Sequence, residues 1–333
     1  MPQDDDDREV WGPDRSREIA RSAPGRAAAG GLSAAPVADR GAATDEAEAE
    51  EPEEEIEFVA VRRQLSVAIA GFAALLAAGL ILGAQTSGPD ARLPYAIVII
   101  GVQLLWVLAW TMAIRPPAVA AVAVVCVVAG LYADRVAATS ATPSLLPLLY
   151  VALPAFVLAL VSQVFRAVDR QQARDSWGAT LLLVLGTVAF ASLITLTRKP
   201  VGTQAVLICL AAAGVGLVVA RLVDAIFDKP RLAPQVPRGA AGVILGAMAG
   251  TLTAAALGSV LVLPFTPGKG AIIGLIAAGL AVLVDLGVNY GEAGRSMAGE
   301  APTFWVARHM QGPLGAFALV APVTYGLTVF LLS

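Results

Sequence analysis

Histidine, cysteine and charge are scarce in this sequence, and each scarcity removes a class of chemistry. His309 is the single histidine, so a site needing two imidazoles cannot be built and Ser-His catalysis is left with one base. Its simpler reading is a structural or interfacial side chain. Cys126 and Cys209 each sit inside an apolar run, where a thiol behaves as a small hydrophobe. Neither a disulfide nor a thiolate metal site is expected. Charged residues make up 15% of the chain, against about 25% in an ordinary soluble domain, while 57% is apolar. A lipid solvent accounts for that bias. The chain does not open with a basic patch, a short apolar core and a small-residue cleavage site, so no signal peptide is expected and the first apolar helix directs insertion.

The few charges are unevenly placed. Residues 1–57 hold 17 Asp/Glu and 6 Lys/Arg, net −11, which leaves 9 acids and 17 bases, net +8, for the remainder. This first segment combines the Asp4–Asp7 run, scattered Pro, Gly and Ala, and a Glu-rich stretch from Glu46 to Glu57. It buries too little apolar surface to offset its ordering entropy. A disordered, acidic, cytoplasmic tail is expected.

A spanning helix needs about 20 mostly apolar residues. Nine runs qualify: Leu65–Gly83, Tyr95–Ile114, Pro117–Ala133, Leu145–Phe165, Ala179–Leu196, Gln204–Phe227, Gly239–Leu263, Ala271–Val288 and Leu314–Leu332. The expected fold is all-α, a polytopic transmembrane helix bundle of nine spans, with the tail at 1–57, N-terminal transmembrane helices at 58–203 and a C-terminal transmembrane region at 204–333. The third run is short and joined to the second through only Arg115, Pro116 and Pro117, which predicts a tight helical hairpin. Lys and Arg in short loops are retained on the cytoplasmic side. With the tail inside, the cytoplasmic loops hold eleven such residues and the other side five: Arg92, Arg135, Arg198, Lys199 and Lys269. The expected location is therefore the cell membrane, multi-pass, N-terminus cytoplasmic and C-terminus outside, with the Arg198-Lys199 pair running against the rule. In the seventh run Gly242, Gly246 and Gly250 recur at the four-residue spacing that lets helix backbones approach closely.

Ionisable groups inside spans are costly and are the first candidates for function. Arg221, Asp224 and Asp285 qualify. The first two are three residues apart and share a helix face, so mutual neutralisation is the plainer reading. Asp285 is followed by Asn289 and Glu292 at i+4 and i+7, an oxygen-bearing face of the kind that binds Mg²⁺ together with substrate phosphates. The equal alternative is a helix end turning polar as it meets water. Lys229, Arg231 and Arg238 lie in a loop stiffened by Pro230, Pro234 and Pro237, a candidate surface for phosphates or anionic lipid headgroups. Thr266–Gly270 lacks the upstream Gly and the following Ser/Thr of a phosphate-binding loop.

Three segments resemble the phosphatidate cytidylyltransferase (CDP-diacylglycerol synthase) family. Phe227-Asp228-Lys229-Pro230-Arg231-Leu232-Ala233-Pro234 is similar to that family's Phe-Gly-Lys-x-Lys-Leu-Ala-Pro loop. The run from Gly274-Leu275 to Asp285-Leu286 is similar to its helix ending in Gly-Asp-Leu, and Ala321-Pro322-Val323-Thr324-Tyr325 to its closing Ala-Pro-Val-Ala-Tyr. Departures accompany the likeness. Where the family has Ser-Pro-Lys-Lys-Thr-Trp-Glu-Gly, this chain reads Val236-Pro237-Arg238-Gly239-Ala240-Ala241-Gly242, keeping one base and losing the acid. Glu292-Ala293 and Ala298-Gly299 stand where the family has Lys-Arg and Lys-Asp. Gly312-Pro313 and Gly315 replace an aspartate-arginine-aspartate cluster, His309 lies two positions past the family's histidine, and Leu217 falls on an intramembrane aspartate.

The resemblance implies an enzyme that joins CTP to phosphatidate, with clustered acids holding Mg²⁺ and clustered bases holding the triphosphate. On that basis Asp285 is the candidate catalytic residue, Asp285, Asn289 and Glu292 the candidate metal ligands, and Lys229, Arg231 and Arg238 the candidate phosphate contacts. Losing one donor from such a preorganised site costs ~10²- to 10³-fold in rate, and here several are missing together. The leading expectation is thus a non-catalytic lipid-binding or regulatory relative. A divergent active membrane cytidylyltransferase using Mg²⁺ and a small-molecule or lipid transporter are the alternatives. Expected partners are membrane lipids, including anionic phospholipid, and no nucleic acid; homo- and hetero-oligomers both stay open.

Overall fold

The computed structural model describes residues 61–86, 93–166, 176–227, 229–300 and 304–332. The expected disordered tail, the loop cations Arg92, Arg170 and Arg174, and Asp228 lie outside them. The described residues form helices α1 (Arg63–Gln85), α2 (Leu93–Ile114), α3 (Val119–Thr139), α4 (Leu146–Arg166), α5 (Trp177–Thr197), α6 (Gly202–Ile226), α7 (Ala240–Val260), α8 (Pro267–Met297) and α9 (Trp305–Leu331). Strands β1 (Arg231–Ala233) and β2 (Val236–Gly239) stand between α6 and α7. All nine helices among the described residues are long and apolar enough to cross a membrane. The chain is a multi-pass integral membrane protein.

Each expected span is a helix, but the apolar windows understate three of them. Helix α8 begins at Pro267, with the Thr266 hydroxyl capping the amide of Lys269, and runs to Met297, nine residues past the apolar window. Helix α9 starts nine residues before its window and carries Pro313 and Pro322 internally. Helix α3 reaches Thr139 and takes in Asp134 and Arg135. The polar residues that ended each apolar run are compatible with helix; they mark a change of solvent and not of backbone. The α2–α3 connection is the tight hairpin expected, turned by left-handed Arg115 (φ 50°) and Ala118 (φ 61°) on either side of Pro116-Pro117.

The Lys229–Arg238 loop is not merely a proline-stiffened loop. Proline favours extended backbone at its own and the preceding position, and β1 and β2 pair antiparallel here, Arg231 opposite Gly239 and Ala233 opposite Val236.

Helix α5 lies at the centre, with 72% of its most apolar window buried, whereas α7 is peripheral at 22%. The buried face of α7 is a stripe of small residues, Gly242, Gly246, Gly250, Ala254 and Gly258. A methyl group on Gly246 would stand 2.5 Å from the Gly216 carbonyl oxygen, and one on Gly250 2.4 Å from that of Ala212. The four-residue glycine spacing therefore sets how closely α7 docks on α6. At the centre, Trp106 packs where any side chain on Gly186 would stand and donates its indole N–H to the Leu183 carbonyl at 2.9 Å.

Arg198 and Lys199, the cations against the basic-residue rule, both have structural partners. Arg198 donates to the carbonyls of Ala137 (2.8 Å) and Ser140 (2.5 Å) and to the Ser140 hydroxyl (3.0 Å). This caps the open C-terminus of α3, where cations are favoured. The Lys199 ammonium lies 4.8 Å from the centre of the Tyr325 ring, and the Tyr325 hydroxyl donates to the Pro143 carbonyl at 2.9 Å. A local use of this kind outweighs a statistical bias.

Candidate functional site

Four charges from three distant segments meet inside the bundle. Arg221 and Asp224 come from α6, Arg238 from β2 and Asp285 from α8, and all are between 0% and 6% exposed. They alternate in sign. Arg221 Nη2 donates to Asp285 Oδ1 at 2.5 Å; Asp285 Oδ2 lies 3.0 Å from Arg238 Nη2; Arg238 Nη1 lies 2.8 Å from Asp224 Oδ2. The backbone N–H of Gly239 closes the row on Asp224 Oδ1 at 3.0 Å. The four charges sum to zero, which is what makes their burial tolerable, since each unpaired ion would cost several kcal/mol. Burial pulls the Arg238 guanidinium below its ordinary range; the Asp285 carboxylate opposes this, Arg221 adds to it and Asp224 opposes it.

Glycines make the room. A methyl group on Gly312 would lie 2.0 Å from Asp285 Oδ1, and one on Gly242 2.2 Å from Asp224 Oδ1. The expected mutual pairing of Arg221 with Asp224 is replaced by a longer relay. Each of the two pairs with a residue from another segment, because the hairpin brings Arg238 in between the two carboxylates.

The oxygen face read from i, i+4, i+7 spacing exists on α8, but its members are separately engaged. Both carboxylate oxygens of Asp285 face guanidinium groups. Asn289 donates its side-chain amide back to the Asp285 carbonyl at 2.5 Å, and Glu292 pairs with Arg308. Among the described residues no group of three or more His, Cys, Asp or Glu side chains is placed to hold a metal ion. The donor set does not fit Mg²⁺, because cationic side chains already face both oxygens of its best ligand. The three loop cations also part company: Lys229 is exposed, Arg231 is half-buried on β1, and Arg238 is enclosed. His309 is half-buried with its ring edge-on to Trp305, 5.2 Å between centroids.

Two features were not legible beforehand. Because α3 extends past its apolar window, Asp134 is a further buried acidic residue, 4% exposed, accepting from Gln103 at 3.0 Å. Gln103 also donates to the Thr187 carbonyl at 3.1 Å. The second is a cavity of about 1460 Å³ bounded by α2, α4, α5, α8 and α9. Val284, Gln311 and Gly315 of α8 and α9 line it, while the nearby Asp285 and Gly312 face the relay. A weak signal for it exists in the small residues Gly287, Gly291 and Gly315, which leave space that larger side chains would fill.

No family model, no curated protein and no solved structure matches this chain.

Proposed function

We propose that this protein is a non-catalytic, lipid-binding or regulatory membrane protein on a frame like that of the phosphatidate cytidylyltransferases. The observation that carries the reading is the environment of Asp285. In nucleotidyl transfer an acid in that role must offer an oxygen to a divalent cation. Here both oxygens are taken by Arg221 and Arg238, and the fourth member of the relay neutralises the remaining charge. The triphosphate side is depleted as well, since Arg238 is wholly buried and turned to the relay. The large apolar cavity supports the lipid-binding half of the reading.

The test is turnover. Purified protein given Mg²⁺, labelled CTP and phosphatidate is expected to form no CDP-diacylglycerol above a no-protein control. Robust product that disappears in Asp285→Ala would refute the reading and establish a divergent transferase in its place.

A further inference from the structure

The cavity exceeds the ~300–1,000 Å³ of a pocket for a drug-sized ligand, and its walls change character along its length. On α5 the lining runs from Ser176 to Ser192. The sixteen steps between them span about 24 Å at 1.5 Å per residue, most of the roughly 30 Å hydrocarbon core. Along this depth the walls are apolar, with Trp106, Trp110, Leu182, Leu185, Val188 and Leu319 among them. Charged side chains line one end only, Arg115, Arg295 and Glu300, with Gln311 beside them. A deep apolar slot with a charged mouth matches a lipid and not a water-soluble solute.

Gln311 is the second, independent observation. It is 2% exposed and lines the cavity, yet its amide has no hydrogen-bond partner among the described residues. An amide that opens only into the cavity takes its hydrogen bonds from whatever fills it. It sits six residues into α9, about 9 Å below the helix start, the depth of the ester groups of a lipid whose phosphate lies at the mouth. Arg115 and Arg295 form no ion pair among the described residues. With Glu300, these mouth residues sum to +1, the complement of one phosphodiester.

We propose that the cavity binds a diacyl glycerophospholipid carrying a single phosphodiester charge and a hydroxylated headgroup. Arg115 and Arg295 hold the phosphate, Glu300 accepts from a headgroup hydroxyl, and the Gln311 amide donates to an ester carbonyl. An acyl chain runs down α5 past Trp106 and Trp110. The proposal rests on the lipid-binding half of the function proposed above. Binding is read without turnover, so product formation would overturn the non-catalytic reading and leave this site standing, whereas absent binding overturns this site alone.

Two of the five tryptophans, Trp106 and Trp110, line the cavity, which gives a direct readout. In full-length protein carrying Trp11→Phe, Trp177→Phe and Trp305→Phe in detergent micelles, phosphatidylglycerol brominated on its acyl chains is expected to quench the remaining fluorescence saturably. Arg115→Ala with Arg295→Ala should raise the half-saturating concentration about tenfold or more, since charge-assisted contacts to phosphate are lost. Gln311→Leu should raise it less. Brominated diacylglycerol with the same chains should not saturate, and brominated phosphatidate, a phosphomonoester, should bind more weakly. Ala189→Phe, which fills the slot while leaving the mouth intact, should abolish quenching. Absence of saturable quenching, equal quenching by diacylglycerol, indifference to the arginine pair, or tighter binding of phosphatidate would each overturn the proposal.

Discussion

Asp285→Asn removes one charge and almost no volume, so its effect isolates the electrostatics of the relay. In the native arrangement Asp285 touches two guanidinium groups, at 2.5 Å to Arg221 and 3.0 Å to Arg238. The substitution leaves a net +1 in a site whose members are nearly or wholly enclosed. Breaking a buried pair in this way costs about 3–5 kcal/mol, largely because the partner is stranded. The relay also makes the rescue asymmetric. Adding Arg221→Met leaves the neutral Arg238–Asp224 pair intact at 2.8 Å. Adding Arg238→Met instead leaves Arg221 buried and facing no carboxylate directly. Asp285→Asn/Arg221→Met should therefore lose less than the sum of its two singles, with a coupling of about 1–3 kcal/mol, and Asp285→Asn/Arg238→Met should show a smaller coupling. Equilibrium unfolding in mixed micelles of the wild type, three singles and two doubles reads all of this. Additive doubles, or equal rescue by both arginine substitutions, would refute the relay as drawn.

Gly312→Ala should destabilise the same unfolding equilibrium by about 1–3 kcal/mol, the range for overpacking, because its Cβ would lie 2.0 Å from Asp285 Oδ1. Gly326→Ala, with nothing within 4 Å, should be neutral or stabilising. Asp134→Asn keeps an acceptor for Gln103 and removes a buried charge whose Oδ2 has no hydrogen-bond partner among the described residues. Its unfolding free energy should be unchanged or higher, and a loss beyond about 2 kcal/mol, the usual cost of a lost buried hydrogen bond, would show that the carboxylate is needed. Millimolar Mg²⁺ should leave the melting temperature of the wild type unchanged, since a ligand that binds the folded state raises it; a rise abolished by Asp285→Asn would restore the metal site.

Hydropathy marks where a helix can sit in lipid, and it located all nine helices; it is silent on where a helix stops once outside lipid. That is why α8 and α9 each run nine residues beyond expectation, and why Asp134 falls just outside the expected third span. Within the site, spacing located Asp285 and its i+4 and i+7 neighbours on one helix face, which is what α8 shows. What spacing cannot supply is the partner from another segment. Arg238 is 47 positions from Asp285 in sequence, and only the pairing of β1 with β2 brings it between the two aspartates. The cavity was least legible of all. It is made of ordinary Leu, Val, Gly and Trp residues on five helices, and only their packing distinguishes a wall from a lipid-facing surface.

The relay also decides whether Asp285 could serve as a metal ligand. A cation could reach the Asp285 carboxylate only by displacing a guanidinium that contacts it. Arg238 is wholly enclosed, and it is carried by β2, whose next residue, Gly239, pairs with Arg231 and donates its N–H to Asp224. Expelling it therefore means undocking the hairpin and stranding Asp224, which loses its only ion pair among the described residues. Removing one member of a buried pair costs about 3–5 kcal/mol, before any cost of opening the strands. A divalent ion would have to recover that from a single carboxylate, since Glu292 is held by Arg308 and the Asn289 amide is turned toward the Asp285 carbonyl. Asp285 in this arrangement is thus a partner of arginine, with no carboxylate oxygen left to offer a metal.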